Sequence, residues 1–188
     1  MVDLWILLVP LAVIVIIVLT VVYYINKIVT LSNRIDNAWS QIDVQLKKRA
    51  DLVPNLVETV KGYEKHEKAV FTEVTKAREN MLKAGTPQEK LKAGATLSTA
   101  LRSVFAIAEN YPDLKASENF KLLQEQLESI ENKIAYSRQF YSDSVLSFNN
   151  TITTIPGSWF AGMLGKNKPR EYFEAEEKER EPVKVKFE

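Results

Sequence analysis

Residues that could carry chemistry are few. His66-Glu67 begins as a helical zinc-peptidase motif begins, but His-Glu-x-x-His needs a second imidazole one helical turn on, and position 70 is Val. His66 is the only histidine and cysteine is absent. Multi-histidine metal sites, thiolate sites, thiol nucleophiles and disulfides are therefore excluded. The spacing expects His66 at a surface or between helices, with no metal and no cofactor. A second group lies around Pro54: Asn37, Arg49, Asp51 and Asn55. Two roles are open to them. They could form a buried network that fixes a bend, since a bend frees backbone acceptors that must be paired. They could instead form a surface where a partner docks. A third group, Tyr111-Pro112-Asp113-Leu114, reads as a connecting turn first and a recognition loop second. No Gly-rich phosphate loop occurs, and the basic residues are dispersed among acids in a chain of net charge +1. Nucleic acid and small-molecule substrates are not expected.

The element that must position everything else is the first apolar run, Leu4 to Ile25. It holds no charged residue and includes Pro10, Ile14 and Ile17, with Trp5 near one end and Tyr23 and Tyr24 at the other. As a helix it would be about 33 Å long, enough to cross a hydrocarbon core of roughly 30 Å. Rings at both ends suit the two interfaces. Pro10 lies in the outer third, where freed carbonyls can find water. A cleavable signal peptide has a basic start and a shorter core than this Met-Val-Asp opening and long run provide. Lys27 and Arg34 follow the run, so the positive-inside bias places the N-terminus outside and the rest of the chain in the cytoplasm.

The remaining chain, roughly 160 residues, suffices for one domain with a real core. Glycine is scarce, at 6 residues, which suits long helices. Ile28, Leu31, Ile35, Ala38 and Ile42 form a 3-4-3-4 stripe, joined by Trp39 and Leu46. The stripe begins where the apolar run ends, so the membrane helix is expected to continue into the domain without a flexible linker. Asp51-Leu52-Val53-Pro54-Asn55 interrupts it. Asp51 could cap a new helix with Pro54 in its first turn, and a kink is expected there rather than a reversal. A second helical pattern then spans Asn55 to Lys83. Gly85 stops it, and Thr86-Pro87-Gln88-Glu89 reads as a capping box opening a third helix. Pro112 ends the third helix. Ser117 and Glu118 open a fourth that keeps one seam from Phe120 to Ile152, broken only around Ser137 and Arg138. So long a helix fits a coiled-coil-like bundle with another long helix.

The end of the chain changes character. The stretch from Ile155 to Gly165 is apolar but too short to span, and Lys166, Lys168 and Arg170 follow at once. Trp159, Phe160 and Leu164 either fold back on the bundle or lie in an anionic membrane interface. An acidic and basic run follows. The last residues, Pro182 to Phe187, alternate apolar and polar, as a disordered end or an added β-strand would.

These residues together resemble one family. The stretch from Asn33 to Glu67, including Asn37-Ala38-Trp39-Ser40-Gln41 and Asp51-Leu52-Val53-Pro54-Asn55-Leu56-Val57, closely resembles the signature of the bacterial LemA family. Ala77-Arg78, Asn110-Tyr111-Pro112-Asp113-Leu114, Asn132, Ile134, Arg138, Tyr141, Phe148-Asn149 and the Pro156, Gly165, Tyr172-Phe173-Glu174 ending are similar to its later segments. Ser142 departs from an Asn in the family pattern. The resemblance implies an N-terminal membrane anchor with a short external N-terminus and an antiparallel helical bundle. It implies no established enzymatic activity. It suggests an assembly or adaptor protein, a family often linked to membrane-bound zinc metallopeptidases of envelope quality control.

The expected protein is thus all-α: an N-terminal transmembrane helix continuing into an antiparallel bundle of long helices, with an irregular C-terminal tail. Residues 1–25 would be the anchor, 26–155 the bundle, and 156–188 an apolar and basic segment with a charged flexible tail. The expected function is a non-enzymatic scaffold in the cell membrane that forms homo-oligomers and organises membrane partners. The alternative is a regulatory adaptor of a membrane-bound metallopeptidase. Candidate interaction residues are Asp51, Pro54, Asn55, Tyr111, Pro112, Asp113, Trp159, Phe160 and Phe187. The lipid anchor comprises Leu4, Trp5, Pro10, Ile14, Ile17, Tyr23, Tyr24 and Ile25.

Overall fold

The computed structural model describes residues 2–61 and 68–173, with backbone alone at residues 2–6 and at Lys68. The side chains of Leu4 and Trp5, and the whole of His66 and Phe187, therefore lie outside the described residues. Helices α1 (Val2–Lys61), α2 (Lys68–Lys83), α3 (Pro87–Ala108), α4 (Pro112–Ala116), α5 (Glu118–Thr153) and α6 (Gly157–Met163) account for the fold, and the described residues contain no strand. The protein is all-α.

Helix α1 contains no glycine and runs unbroken through both prolines. This corrects the expectation at Asp51: no new helix starts there, and residues 55–61 belong to α1 rather than to the next helix. The reason is tertiary. Pro54 has no amide to give to the Ala50 carbonyl four residues back. Arg78 Nε, from α2, donates to that carbonyl at 2.9 Å instead. The acceptor freed by proline is satisfied, so the helix has no need to break. The connection after Pro112 also differs from a plain turn, since residues 112–116 close the short α4.

The described chain forms two compact units. One takes residues 36–140. Here α1 from Asp36, α2, α3 and α5 to Phe140 pack as an up-down-up-down four-helix bundle with short connections. Its core takes Ala38, Ile42 and Leu46 from the predicted stripe of α1, then Val53, from the stretch expected to interrupt it, with Leu56 and Val60, and Val74, Leu97, Leu101, Val104, Leu127 and Ile134 from the other helices, all buried. At the start of α3, Thr86 accepts from the Glu89 amide and Glu89 accepts from the Thr86 amide, the expected capping box.

The other unit takes residues 1–35 and 141–188. Positions 7–19 of α1 are exposed at every residue, although this stretch is long and apolar enough to cross a bilayer. Packing begins near Tyr24, and Ile28 is fully buried. Ile28 and Ile35 form a core with Val145, Phe148 and Ile152 of α5 and Ala161 of α6, flanked by Leu31, Tyr141, Phe160 and Leu164. Helix α6 is held at both ends. At its start a Cβ on Gly157 would stand 2.0 Å from the Thr151 carbonyl oxygen, so only glycine permits this approach. At its end Gly165 takes φ +62. The Lys166 amide then donates to the Ala161 carbonyl at 2.9 Å and the Gly165 amide to that of Gly162 at 3.2 Å. This Schellman closure uses the left-handed freedom of glycine. From Lys166 to Phe173, the last described residue, the chain is irregular.

Candidate functional site

Within the bundle unit the polar centre is Arg49. Its side chain is 3% exposed. Nη1 donates to the Gly94 carbonyl at 3.2 Å and to Ser98 Oγ, and Nη2 pairs with the Glu131 carboxylate. Burial lowers the Arg49 pKa, and the neighbouring Glu131 charge opposes that shift. The guanidinium joins α1, α3 and α5 by direct bonds, while Arg78 ties α2 to α1 one residue away. These are positioning interactions. No group of three or more His, Cys, Asp or Glu that could hold a metal occurs among the described residues.

In the same unit an open groove of about 790 Å³ runs between α1 and α5, lined by Ser40, Val44, Gln45, Glu128, Asn132 and Tyr136 among others. Val44 and Tyr136 are 47% and 72% exposed, which leaves apolar surface facing outward. Gln45 Oε1 is buried there and accepts no hydrogen bond in the described structure. A second hollow continues along the same pair of helices past Lys48, Asp51, Leu52 and Leu122. As α1 advances from Ser40 to Leu52, the facing α5 residues retreat from Ser137 to Leu122, so the two helices are antiparallel.

The expected interaction residues are dispersed. Asp51 lines the second hollow, while Pro54 and Asn55 are exposed on α1. Of the residues considered for a buried network, only Arg49 is buried, and Asn37, Asp51 and Asn55 face outward. Tyr111 is half-buried ahead of α4, and Pro112 and Asp113 are exposed in it. Pro10, Ile14, Ile17 and Tyr23 are exposed along α1, and Tyr24 and Ile25 are half-buried. Phe160 turns inward and Trp159 outward. The residues that sequence reasoning left without a role are Arg78, Ser98 and Glu131. A proline predicts an orphan carbonyl four residues back, but the helix that supplies the donor cannot be read from local spacing.

The sequence model described as the LemA family matches residues 38–187. The chain belongs to the LemA family. Among its LemA-related relatives, the magnetosome protein MamQ 2 of Paramagnetospirillum magneticum is 25% identical, covering 87% of this chain and 72% of its own. The magnetosome protein MamQ of Magnetospirillum gryphiswaldense is 23% identical over 79% of this chain and 64% of its own. Protein LemA of Metamycoplasma hominis is 26% identical over 69% of this chain and 60% of its own. The LemA match includes all but the first two residues of the bundle unit, and all of α6. Family and bare apolar helix together make this a membrane-associated LemA protein.

The LemA-like residues of the C-terminal half hold the last described segment in place. Asn149 donates through Nδ2 to the Arg170 carbonyl at 2.9 Å and accepts from the Arg170 amide at 2.8 Å. Tyr141 stacks on Phe173, with ring centroids 4.0 Å apart. Lys166 Nζ donates to buried Ser32 Oγ at 2.6 Å.

Proposed function

We propose that this LemA-family protein is a non-enzymatic, single-pass membrane scaffold that self-associates and organises other proteins of the same bilayer. The observation that carries this reading is the continuity of α1. One unbroken helix leads from a bare apolar end to the first helix of the bundle. A chain held in a bilayer moves in two dimensions, which raises its effective concentration toward its neighbours, so weak lateral contacts suffice for assembly. The α1–α5 groove supplies a contact face. Exposed Val44, Leu122 and Tyr136 along it offer apolar area. Lys27 and Arg34 follow the span, which favours a cytoplasmic bundle and an external N-terminus.

The chain has no cysteine, so single replacements Val44→Cys and Tyr136→Cys report on the groove alone. Oxidation in native membranes should join copies through these positions and not through Lys83→Cys on α2. A full-length chain that stays monomeric in mild detergent and uncrosslinked in native membranes would sink the scaffold reading.

A further inference from the structure

Helix α6 divides its side chains in a way that the bundle does not explain. Ala161 is fully buried, and Phe160 and Leu164 pack on the core beside it. Ile155, Trp159 and Met163, spaced by four, are 71%, 65% and 77% exposed. Trp159 and Met163 thus share one outward face of α6, and Ile155 is exposed in the turn before it. They are not free to turn away. Gly157 presses on the Thr151 carbonyl, Gly165 closes the far end, and Lys166 Nζ is bonded to Ser32.

The height of this face is set by one contact. Phe160 stacks on Tyr24, with centroids 5.9 Å apart and planes 27° from parallel. Tyr24 stands where the bare apolar part of α1 ends and protein packing begins. Tyr23 meets it edge-on at 5.2 Å, and Lys27 Nζ lies 5.8 and 5.9 Å from the two ring centroids. Aromatic and lysine side chains at the end of a span mark the headgroup level. Lys166, Lys168 and Arg170 follow α6 directly. The Phe160 contact therefore brings α6 to the level of the aromatic belt and of Lys27 at the end of the span.

We propose that α6 is a lipid-binding foot: Trp159 and Met163, with Ile155 in the turn before them, insert into the interface of the bilayer that α1 crosses, and Lys27 faces anionic headgroups. The occupant is a lipid surface because Phe160 of α6 stacks on Tyr24, where the exposed apolar stretch of α1 ends. The rings and Lys27 there match what anionic interfaces bind. The foot gives the helix pair a second attachment and restrains α1 from tilting or rotating. This rests on α1 being a span, and the test separates the two.

The full chain, carrying one spin-labelled cysteine at a time, is reconstituted as single copies in nanodiscs of phosphatidylcholine and phosphatidylglycerol. Accessibility to oxygen is compared with accessibility to a water-soluble nickel chelate. Ile14→Cys reports on the span, Met163→Cys on the foot and Lys83→Cys on water. Labels at Ile14 and Met163 should both favour oxygen several-fold over the label at Lys83. A Met163 label as exposed to nickel as that at Lys83, with Ile14 in lipid, overturns the foot and leaves the span standing. An Ile14 label in water overturns both. Protection at Met163 that persists in detergent, accompanied by Met163-to-Met163 crosslinks, assigns the face to contact between copies and also overturns the lipid reading. Met163 is largely exposed, so its replacement removes little packing.

Discussion

The Ala50 carbonyl shows how one residue sets the course of the longest helix. Pro54 withholds its amide, and Arg78 Nε donates at 2.9 Å in its place. A hydrogen bond from a charged donor contributes about 1.5 kcal/mol net. Arg78→Met should therefore cost about that much in urea unfolding of the parent chain. In a Pro54→Ala background residue 54 regains its amide and should serve Ala50 itself, so Arg78→Met should cost much less. Equal costs in the two backgrounds would remove Pro54 from the explanation. Arg49 makes the opposite case, a buried cation that needs its anion. Glu131→Ala leaves the guanidinium uncompensated. It should destabilise by about 2 kcal/mol, below the usual cost of breaking a buried pair because Glu131 is 51% exposed. Arg49→Met should cost less, since Glu131 can turn to water and Ser98 Oγ still donates to the Gly94 carbonyl. The types of these residues were legible in the sequence, but their pairing across three helices was not. Asn37, Asp51 and Asn55 have the same polar character as Arg49 and face outward.

Helix ends were legible because their chemistry is local. The capping box at Thr86 and Glu89 involves residues three apart, and it forms as its spacing requires. Bonds from the Gly85 and Thr86 amides hold the Glu89 pKa below the ordinary glutamate value. The folded pKa is depressed, so the contribution of this carboxylate is present at neutral pH and lost as pH falls through the folded value. The gap in Tm between the parent and Glu89→Gln should accordingly be widest near neutrality. It should close on acidification below about pH 4.3. A gap that widened in acid would contradict the assigned bonds. The break expected at Pro54 was misplaced for the converse reason. A proline marks a missing bond within its own helix, whereas the replacement comes from a side chain on another. Helix α6 combines the two. Its Gly165 stop is local, while the choice of which apolar side chains face inward depends on where Thr151 and Tyr24 lie.

For the molecule as a whole, family membership and the bare apolar helix agree on a membrane-associated, all-helical protein. Orientation is the property that decides which partners it can meet. With single cysteines at Val2, Lys83 and Lys168, a membrane-impermeant thiol reagent applied to intact cells should label Val2 alone. Labelling at Lys83 and Lys168 instead would reverse the proposed topology and place the bundle outside. A scaffold working among cytoplasmic faces of membrane proteins requires the first pattern.

The sequence by itself determined the apolar helix, most of the stripes that became the core and the capping box that opens α3. Hydropathy, helical periodicity and capping each act over a few neighbouring residues or along one helix, so they can be read in order along the chain. Tertiary structure alone decided that Arg78 answers Pro54, that Glu131 answers Arg49, and that Phe160 meets Tyr24 while Trp159 faces outward. Those outcomes join residues from 28 to 136 positions apart. They depend on directional contacts between helices, which no periodicity within a single helix encodes.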